Sequence, residues 1–197
     1  MGVFEYLIRQ SIKPTGGIGR FMLKIMNNAH KSLFYFGLSN INIAENCNFL
    51  DLGFGGGNLL KIVSGKYKDV RLFGIDFSED SLRIASGKNK RDIQNGKITL
   101  LKADIEKIPF PDNYFDIITA FQTHYYWKEI PLKIKEIYRV LKTNGQFVIT
   151  AEKFKINYHM EAYKTEEDMK ELFRIIGFKD IKYTETNNYM CIRGIKA

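Results

Sequence analysis

The sequence predicts an α/β domain in which helices cover both faces of a seven-stranded, mostly parallel sheet, giving three layers. Two observations support this fold class. From residue 48 onward, short apolar segments of strand length alternate with segments that show helical periodicity. Helical segments also separate most of the first five strands, as the crossover connections of a parallel sheet require.

Seven segments have the length and composition of strands. Most are rich in Ile, Leu, Phe and Val, which favour strands, and turn residues flank several of them. Only Thr186–Asn188 separates the last two, which predicts a hairpin and therefore one antiparallel edge strand on an otherwise parallel sheet. The predicted strands are Asn48–Leu52, Val70–Ile75, Ile98–Leu101, Phe115–Phe121, Gln146–Thr150, Lys179–Glu185 and Tyr189–Ile195.

The helical segments carry start and stop signals. Ser78 can cap the helix that follows the second strand, and Thr165–Asp168 has the pattern of a capping box. Gly177 supplies the glycine stop that commonly ends a helix. The predicted helices are Asn58–Ser64, a helix capped by Ser78 and running through Ala85, Ile130–Leu141 with an end at Asn144–Gly145, and a helix from Thr165 through Ile176.

Residues 1–45 differ from the remainder and are predicted to form an N-terminal helical lid over a domain that spans residues 46–197. Apolar residues recur there at three- and four-residue steps, on one face of a helix. The segment is too short for a core of its own, so we expect it to cover the domain. The residues on this face are Leu23, Met26, His30, Leu33 and Phe34.

The composition favours an ordinary globular protein over a nucleic-acid binder. The net charge is +8, but 22 lysines outnumber 8 arginines and the basic residues are scattered. Nucleic-acid binding proteins favour arginine for bidentate contacts to bases and phosphates. A solvated, lysine-rich surface is therefore the preferred interpretation, and RNA binding is the alternative.

The cysteines and the N-terminus indicate a cytoplasmic protein. Cys47 and Cys191 are far apart and fit neither a metal-binding pair nor a disulfide framework, so no metal site is expected. Two isolated thiols suit a reducing compartment. The N-terminus lacks the apolar stretch of a signal peptide, and no apolar run approaches the roughly 18 residues of a membrane span.

Glycines and acidic residues follow three successive strands, where ligands bind in open α/β sheets. The first loop, Asp51–Gly57, reads DxGxGxG and places Asn58 where a dinucleotide fingerprint needs a small residue, which argues against NAD. Asp76 follows the second strand and can accept hydrogen bonds from both hydroxyls of a ribose. Phe77, beside it, can pack on an adenine ring. Asp104 follows the third strand and can accept from an adenine amine.

These segments, in this order, resemble class I S-adenosylmethionine-dependent methyltransferases, most closely the branch that acts on small molecules. The resemblance covers about residues 46–197. It implies a Rossmann-like sheet with strand order 3-2-1-4-5-7-6, S-adenosylmethionine as cofactor and S-adenosylhomocysteine as product. The segments that carry it are Phe49–Gly57, Gly74–Ser78, Ala103–Ile105, Ile108–Asp116 and Val140–Gln146.

The resemblance also implies roles for individual residues. In the family the glycine loop cradles the methionine part of the cofactor, the acid after the second strand binds ribose, and the acid after the third strand binds adenine. Asp51 lies under the loop and orients it. The expected cofactor-binding residues are Asp51, Gly53, Phe54, Gly55, Gly57, Asp76, Phe77, Ser78, Asp104, Ile105 and Phe121.

The segment after the fourth strand is where the resemblance places the methyl acceptor. His124 is a candidate general base, or else a histidine that shapes the pocket or only packs. The aromatic character of this segment favours a small, partly apolar acceptor, with tRNA or rRNA as the alternative and a cofactor-binding protein without catalysis as a third reading. The expected pocket residues are Gln122, Tyr125, Tyr126, Trp127, Tyr6, Asn27, His30 and His159.

Overall fold

The computed structural model describes residues 31–197. Its sheet has seven strands in the order β3-β2-β1-β4-β5-β7-β6, as predicted. The first five strands pair with one another in parallel, whereas β7 runs antiparallel to both of its neighbours, β5 and β6. The strands are β1 (Asn48–Leu52), β2 (Arg71–Asp76), β3 (Ile98–Lys102), β4 (Phe115–Phe121), β5 (Leu141–Glu152), β6 (Phe178–Glu185) and β7 (Tyr189–Lys196).

Helices lie on both faces of the sheet and form two separate apolar cores. One core receives buried residues from α1, α2 and α3, and the other from α5, α6 and α7. This confirms the three-layer architecture. The helices within the described residues are α1 (31–38), α2 (Asn58–Lys66), α3 (Glu79–Lys88), α4 (Lys90–Gln94), α5 (Ile130–Val140), α6 (Lys153–His159) and α7 (Glu166–Ile176), with a 3-10 turn at His124–Tyr126.

Two predicted helix caps are present. The Ser78 side chain accepts a hydrogen bond from the backbone N–H of Ser81 at the start of α3. At the start of α7, Thr165 and Asp168 form the complete capping box, each side chain accepting from the other's backbone N–H. Gly177 ends α7 in the left-handed conformation. Local polar residues therefore set these boundaries, as the sequence indicated.

The antiparallel strand β7 does not lie at the edge of the sheet, so the expectation drawn from the hairpin is wrong, whereas the strand order implied by the resemblance is confirmed. β7 is inserted between β5 and β6, and β6 forms the edge. The burial of the two strands explains the arrangement. Met190, Cys191 and Ile192 of β7 are at most 2% exposed, whereas β6 is rich in Lys, Asp and Glu and has exposed positions along its length. Charged residues suit an edge because they discourage pairing with another chain.

The boundary between α5 and β5 also differs from the prediction. The helix ends at Val140, and Leu141 already pairs with Phe115 of β4. The register then shifts, so that Gln146 pairs with Ile117, and Asn144 in between has a positive φ of 62°. The Asn–Gly signal therefore marks an irregularity within β5 instead of the end of a helix.

The short elements α4, α6 and the 3-10 turn were not predicted. His159 is the last residue of α6. The helix has only seven residues, so its periodicity is too short to recognise in sequence.

The described part of the N-terminal segment packs on the sheet. Leu33 and Leu38 of α1 are buried in the core shared with α2 and α3. The ring of Phe34 lies 5.6 Å from that of Phe121 at the carboxyl end of β4, and Asn42 exchanges two hydrogen bonds with Gln146, farther toward the amino end of β5. The chain therefore enters the described structure at the carboxyl edge of the sheet.

No helix within residues 31–197 is both long enough and apolar enough to cross a lipid bilayer.

Candidate active site

The glycine loop between β1 and α2 has the backbone of a ligand cradle. Gly53, Gly55 and Gly57 all have positive φ values, between 51° and 71°, which L side chains rarely adopt. A Cβ built on Gly55 would meet nothing within 4 Å. One built on Gly57 would lie 2.6 Å from Nδ2 of Asn89. The loop is thus packed underneath and open above, so a ligand can approach its backbone.

Asp76 connects the loop to the end of β2. One carboxylate oxygen, Oδ2, accepts from the backbone N–H of Gly55 at 2.9 Å, and Oδ1 accepts from the N–H of Ser78 at 2.9 Å. The residue is only 7% exposed. Two backbone donors hold the carboxylate in one orientation, and each oxygen keeps lone-pair capacity for a further donor such as a ribose hydroxyl.

Asp51 lies buried at the end of β1, in line with its expected place under the loop. Its Oδ1 is 3.0 Å from the Thr119 hydroxyl, which donates to it. Burial raises the pKa of Asp51 to about 7, against the lowering effect of the Thr119 hydrogen bond, and the nearby charge of Asp76 raises it further. The protonation of Asp51 therefore changes near neutral pH.

The loop after β3 presents Asp104 to solvent. Its Oδ1 accepts from the backbone N–H of Glu106 at 2.9 Å. The largely buried Lys133 of α5 reaches this loop, with Nζ 2.5 Å from Glu106 Oε1 and 3.9 Å from Asp104 Oδ1. Phe77, after β2, is 78% exposed, so its ring face is available for a planar partner. Ile105 is half-buried and packs against the core.

Thr123 places the segment after β4 directly against the glycine loop. Its Oγ1 donates to the carbonyl oxygen of Leu52 at 3.3 Å. A Cβ on Gly53 would lie 2.5 Å from Thr123 Cγ2. Gly53 and Thr123 therefore adjoin, and residues that follow Thr123 start next to the predicted cofactor site.

His124 is fully buried, and neither ring nitrogen has a hydrogen-bond partner among the residues described. Burial lowers the pKa of His124 to about 3, so the ring is neutral at physiological pH. Unsatisfied buried polar atoms are rare in native proteins and call for a ligand, a water or a functional role. A general base works best with a pKa near the working pH, so this geometry gives His124 little basicity.

Aromatic rings form a continuous cluster beside His124. The ring of Tyr125 stacks on His159, with centroids 5.3 Å apart and planes at 10°. Tyr126 and Tyr158 meet the same histidine edge-on at 5.0 and 4.9 Å. Burial lowers the pKa of His159 and raises that of Tyr125. Tyr126 and Tyr158 are exposed, so the cluster runs from the core to the surface.

The structure brings together most of the predicted site. The candidates after β1, β2 and β4 adjoin, His159 joins the segment after β4, and Trp127 is half-buried against the core. The buried Phe54 and Phe121 belong to the core on the α1 side. Tyr6, Asn27 and His30 lie outside the described residues.

Three further residues at this edge were missed by sequence reasoning. Asn89 is fully buried and donates from Nδ2 to the carbonyl oxygens of Gly57 and Ala85, a role with no sequence signal. Thr123 was inside the predicted acceptor segment without a role of its own. Glu152 is the last residue of β5, so reading the end of that strand would have found it.

The residues present fit S-adenosylmethionine. The open backbone above Gly55 leaves room for the ligand, Asp76 offers a fixed carboxylate beside it, and the exposed face of Phe77 follows directly. The carboxylate can accept hydrogen bonds from the ribose of such a ligand, and the aromatic ring can pack on its planar base.

Comparisons with known proteins agree with this reading. Residues 50–149 match the family described as "Methyltransferase domain". The chain is 29% identical to the uncharacterized methyltransferase YdaC of Bacillus subtilis (strain 168), over 80% of this chain and 85% of YdaC. It is 31% identical to the ubiquinone/menaquinone biosynthesis C-methyltransferase UbiE of Paraburkholderia phytofirmans, over 76% of this chain and 57% of UbiE.

A solved structure extends the comparison to the fold. Phosphoethanolamine N-methyltransferase 2 of Haemonchus contortus, in complex with S-adenosyl-L-methionine, superimposes with a TM-score of 0.73 at 16% identity, covering 84% of this chain and 52% of that one. The strand order, the glycine loop and the family match therefore agree. The chain belongs to the methyltransferase domain family and is a class I methyltransferase with S-adenosylmethionine as its cofactor.

Proposed function

We propose that this enzyme transfers the methyl group of S-adenosylmethionine to a small, partly apolar acceptor held at the carboxyl ends of β4 and β5. The observation that carries the proposal is the ring cluster of Tyr125, Tyr126 and His159, which follows directly on Thr123 beside the glycine loop. Aromatic walls with a few polar groups are typical of sites for small molecules. The similarity to UbiE, named for quinone biosynthesis, supports the same class.

The positions described support the cofactor contacts that we propose. Gly53, Gly55 and Gly57 present backbone to the methionine part, Asp76 accepts from the ribose hydroxyls, and Asp104 accepts from the adenine amine. Phe77 packs on the base, while the Ser78 N–H fixes Asp76. Asp51 lies under the loop and sets its orientation.

The cofactor, when bound, supplies a methyl group on a positively charged sulfur. With an acceptor bound beside it, that methyl group would pass to a nucleophilic electron pair of the acceptor, the carbon–sulfur bond pair would stay on S-adenosylhomocysteine, and a displaced acceptor proton would go to solvent. The protein's part is to hold the acceptor in line with that bond and to exclude water.

His124 serves this step best as a neutral hydrogen-bonding group. Its burial leaves it uncharged, and its two nitrogens, which have no partner within residues 31–197, can accept one hydrogen bond and donate another. This role orients the acceptor atom without requiring the histidine to carry a proton. We therefore prefer a pocket-shaping role for His124 over that of a general base.

We also propose that residues 1–30 complete the pocket as a lid, with Tyr6, Asn27 and His30 as candidate contacts. The support comes from α1, in which Phe34 lies against Phe121 at the carboxyl end of β4. This contact brings the described end of the N-terminal segment to the edge of the sheet where we place the acceptor.

The acceptor class can be tested directly. The enzyme is incubated with S-adenosylmethionine labelled on the methyl group, once with a metabolite extract and once with total RNA. We expect the label in small molecules. The net charge of +8 favours the alternative, an RNA methyltransferase. Label that appears mainly in RNA, and that is lost as salt is raised, would establish that alternative instead.

A further inference from the structure

An ion pair with little solvent exposure lies at the acceptor edge of the sheet. Nζ of Lys155 is 2.9 Å from Oε2 of Glu152, and the two side chains are 16% and 15% exposed. A second pair starts from the same helix, Lys153 with Glu185, at the same 2.9 Å, but its side chains are 37% and 49% exposed. Ion pairs in water contribute little, whereas a shielded charge must be compensated by its surroundings.

Gln122 links this ion pair to the end of β4. Its Nε2 donates to Glu152 Oε2 at 2.6 Å, and its Oε1 accepts from the backbone N–H of Glu152 at 3.0 Å and from the Tyr125 hydroxyl at 3.3 Å. Gln122 has a φ of 60°, a strained value for a residue other than glycine. Such strain persists where the surrounding structure requires it, and it concentrates at functional sites.

The network leaves acceptor capacity that nothing in the described part of the chain uses. Both contacts to the Glu152 carboxylate fall on Oε2, and Oε1 has no hydrogen bond to any residue within 31–197. The Tyr125 ring that joins the network stacks on His159. The same ring meets His124 edge-on, with centroids 5.4 Å apart, and both nitrogens of that histidine are also without a partner among those residues. Tyr125 therefore adjoins His124 directly and Glu152 through Gln122.

We propose that Glu152 anchors the methyl acceptor by accepting a hydrogen bond from an O–H or N–H group on a planar ring, which lies against the half-buried His159 and the exposed Tyr126. The inference rests on the proposed small-molecule function and names the acceptor class: aromatic rings that carry a hydroxyl or an amine. Gln122 holds the carboxylate in place through two hydrogen bonds, and Lys155 balances its charge. Hydrogen bonds to an ionised group are stronger than neutral ones, so Glu152 selects for rings that bear a donor.

The experiment uses Trp127, the only tryptophan of the chain, as an internal probe in this segment. The full-length enzyme, saturated with S-adenosylhomocysteine, is titrated with p-cresol and with 4-methylanisole while tryptophan fluorescence is excited at 295 nm. The two ligands differ only in the group on the ring oxygen, which is a hydrogen in p-cresol and a methyl group in 4-methylanisole. We expect p-cresol to bind at least fivefold more tightly to the wild-type protein.

Substitutions test whether Glu152 causes the preference for p-cresol. Glu152→Gln is expected to reduce it to less than twofold, and Glu185→Gln, the matched control in the exposed pair, to leave it unchanged. Lys155→Met keeps the carboxylate and is expected to keep the preference. Calorimetric affinity for S-adenosylhomocysteine should stay within twofold in all three variants, which shows that each is folded.

Two results would overturn the inference. The first is equal binding of both ligands to the wild-type enzyme. The second is equal loss of the preference in Glu152→Gln and Lys155→Met, which would make the network a structural support only. Failure of the proposed function is a separate result, because it would be seen as label in RNA in the transfer assay.

Discussion

The carboxylate of Asp76 accepts a hydrogen bond from the backbone N–H of Gly55 over 2.9 Å, although 21 residues separate them in sequence. The end of β2 and the glycine loop are therefore built as one unit. The second oxygen accepts from Ser78, which caps α3. The carboxylate that we assign to ribose is thus held before the cofactor arrives, and little ordering remains to be done on binding.

Replacement of Asp76 should weaken cofactor binding more than it lowers stability. In Asp76→Ala the ribose loses its charged acceptor and the Gly55 N–H loses its partner. We expect a loss of about 1–3 kcal/mol in affinity, roughly 5- to 150-fold, measured by calorimetry with S-adenosylhomocysteine. Asp80→Ala is the control, because Asp80 is exposed and its ion-pair partner within the described part of the chain is Arg83. Equal effects of the two substitutions would show that Asp76 is not a ligand contact.

Alanine at three glycines should give three different results. Gly55→Ala meets open space, so the protein should fold with a loss of about 1 kcal/mol for the positive φ and yet lose most cofactor affinity, because the methyl group enters the cradle. Gly57→Ala should be destabilised more strongly, since its Cβ would collide with Asn89 and with Ala85. Gly65→Ala in α2 meets nothing and should gain about 0.5–1 kcal/mol.

Chemical denaturation and calorimetry together check this series. Unchanged cofactor affinity in a folded Gly55→Ala protein would contradict the placement of the ligand over Gly55. A Gly57→Ala protein as stable as wild type would contradict the close packing under the loop.

The sequence was informative where a local rule determines structure. Ser78 and Thr165 cap helices because their side chains satisfy nearby N–H groups, and the loop Asp51–Gly57 needs glycine because its φ values are positive. The capping and the strand-end rules required only neighbouring residues, so the strands and the cofactor edge could be predicted, whereas the strand order was implied by the family resemblance.

What could not be predicted depends on contacts between distant residues. Leu141 fits the helical spacing of α5 as well as a buried strand position, and only its pairing with Phe115 decides for the strand. His124 has the residue type of a general base, but its burial, which removes that basicity, comes from tertiary packing. The clamp of Gln122 on Glu152 joins two strand ends 30 residues apart, which no spacing in the sequence indicates.

Deletion of residues 1–30 should leave a folded protein with impaired turnover. The buried residues Leu33 and Leu38 remain, so the core on the α1 side is retained, while the proposed lid is lost. We expect cooperative thermal unfolding and turnover at least tenfold lower, once the acceptor is known, with cofactor affinity less affected. Full activity of the shortened protein on its true acceptor would refute the lid.

The pH dependence of stability should report on Asp51. Its pKa is about 7 in the folded protein, against an ordinary value near 3.8. Between these two values the folded state holds the proton and the unfolded state does not. The free energy of unfolding contributed by Asp51 is therefore largest below about pH 4, falls by about 1.4 kcal/mol per pH unit as the pH rises toward 7, and is constant above it.

Asp51→Asn isolates this contribution, because asparagine cannot ionise but keeps an oxygen for the Thr119 hydroxyl. Urea denaturation of the cofactor-free proteins at pH 5, 6, 7 and 8 gives the difference in unfolding free energy between variant and wild type. We expect that difference to shift in favour of the variant as the pH rises to 7 and to level off by pH 8. Other titrating groups are common to both proteins and cancel in the comparison. A difference that stays constant across this range would mean that Asp51 is already ionised at pH 5, and that burial does not raise its pKa.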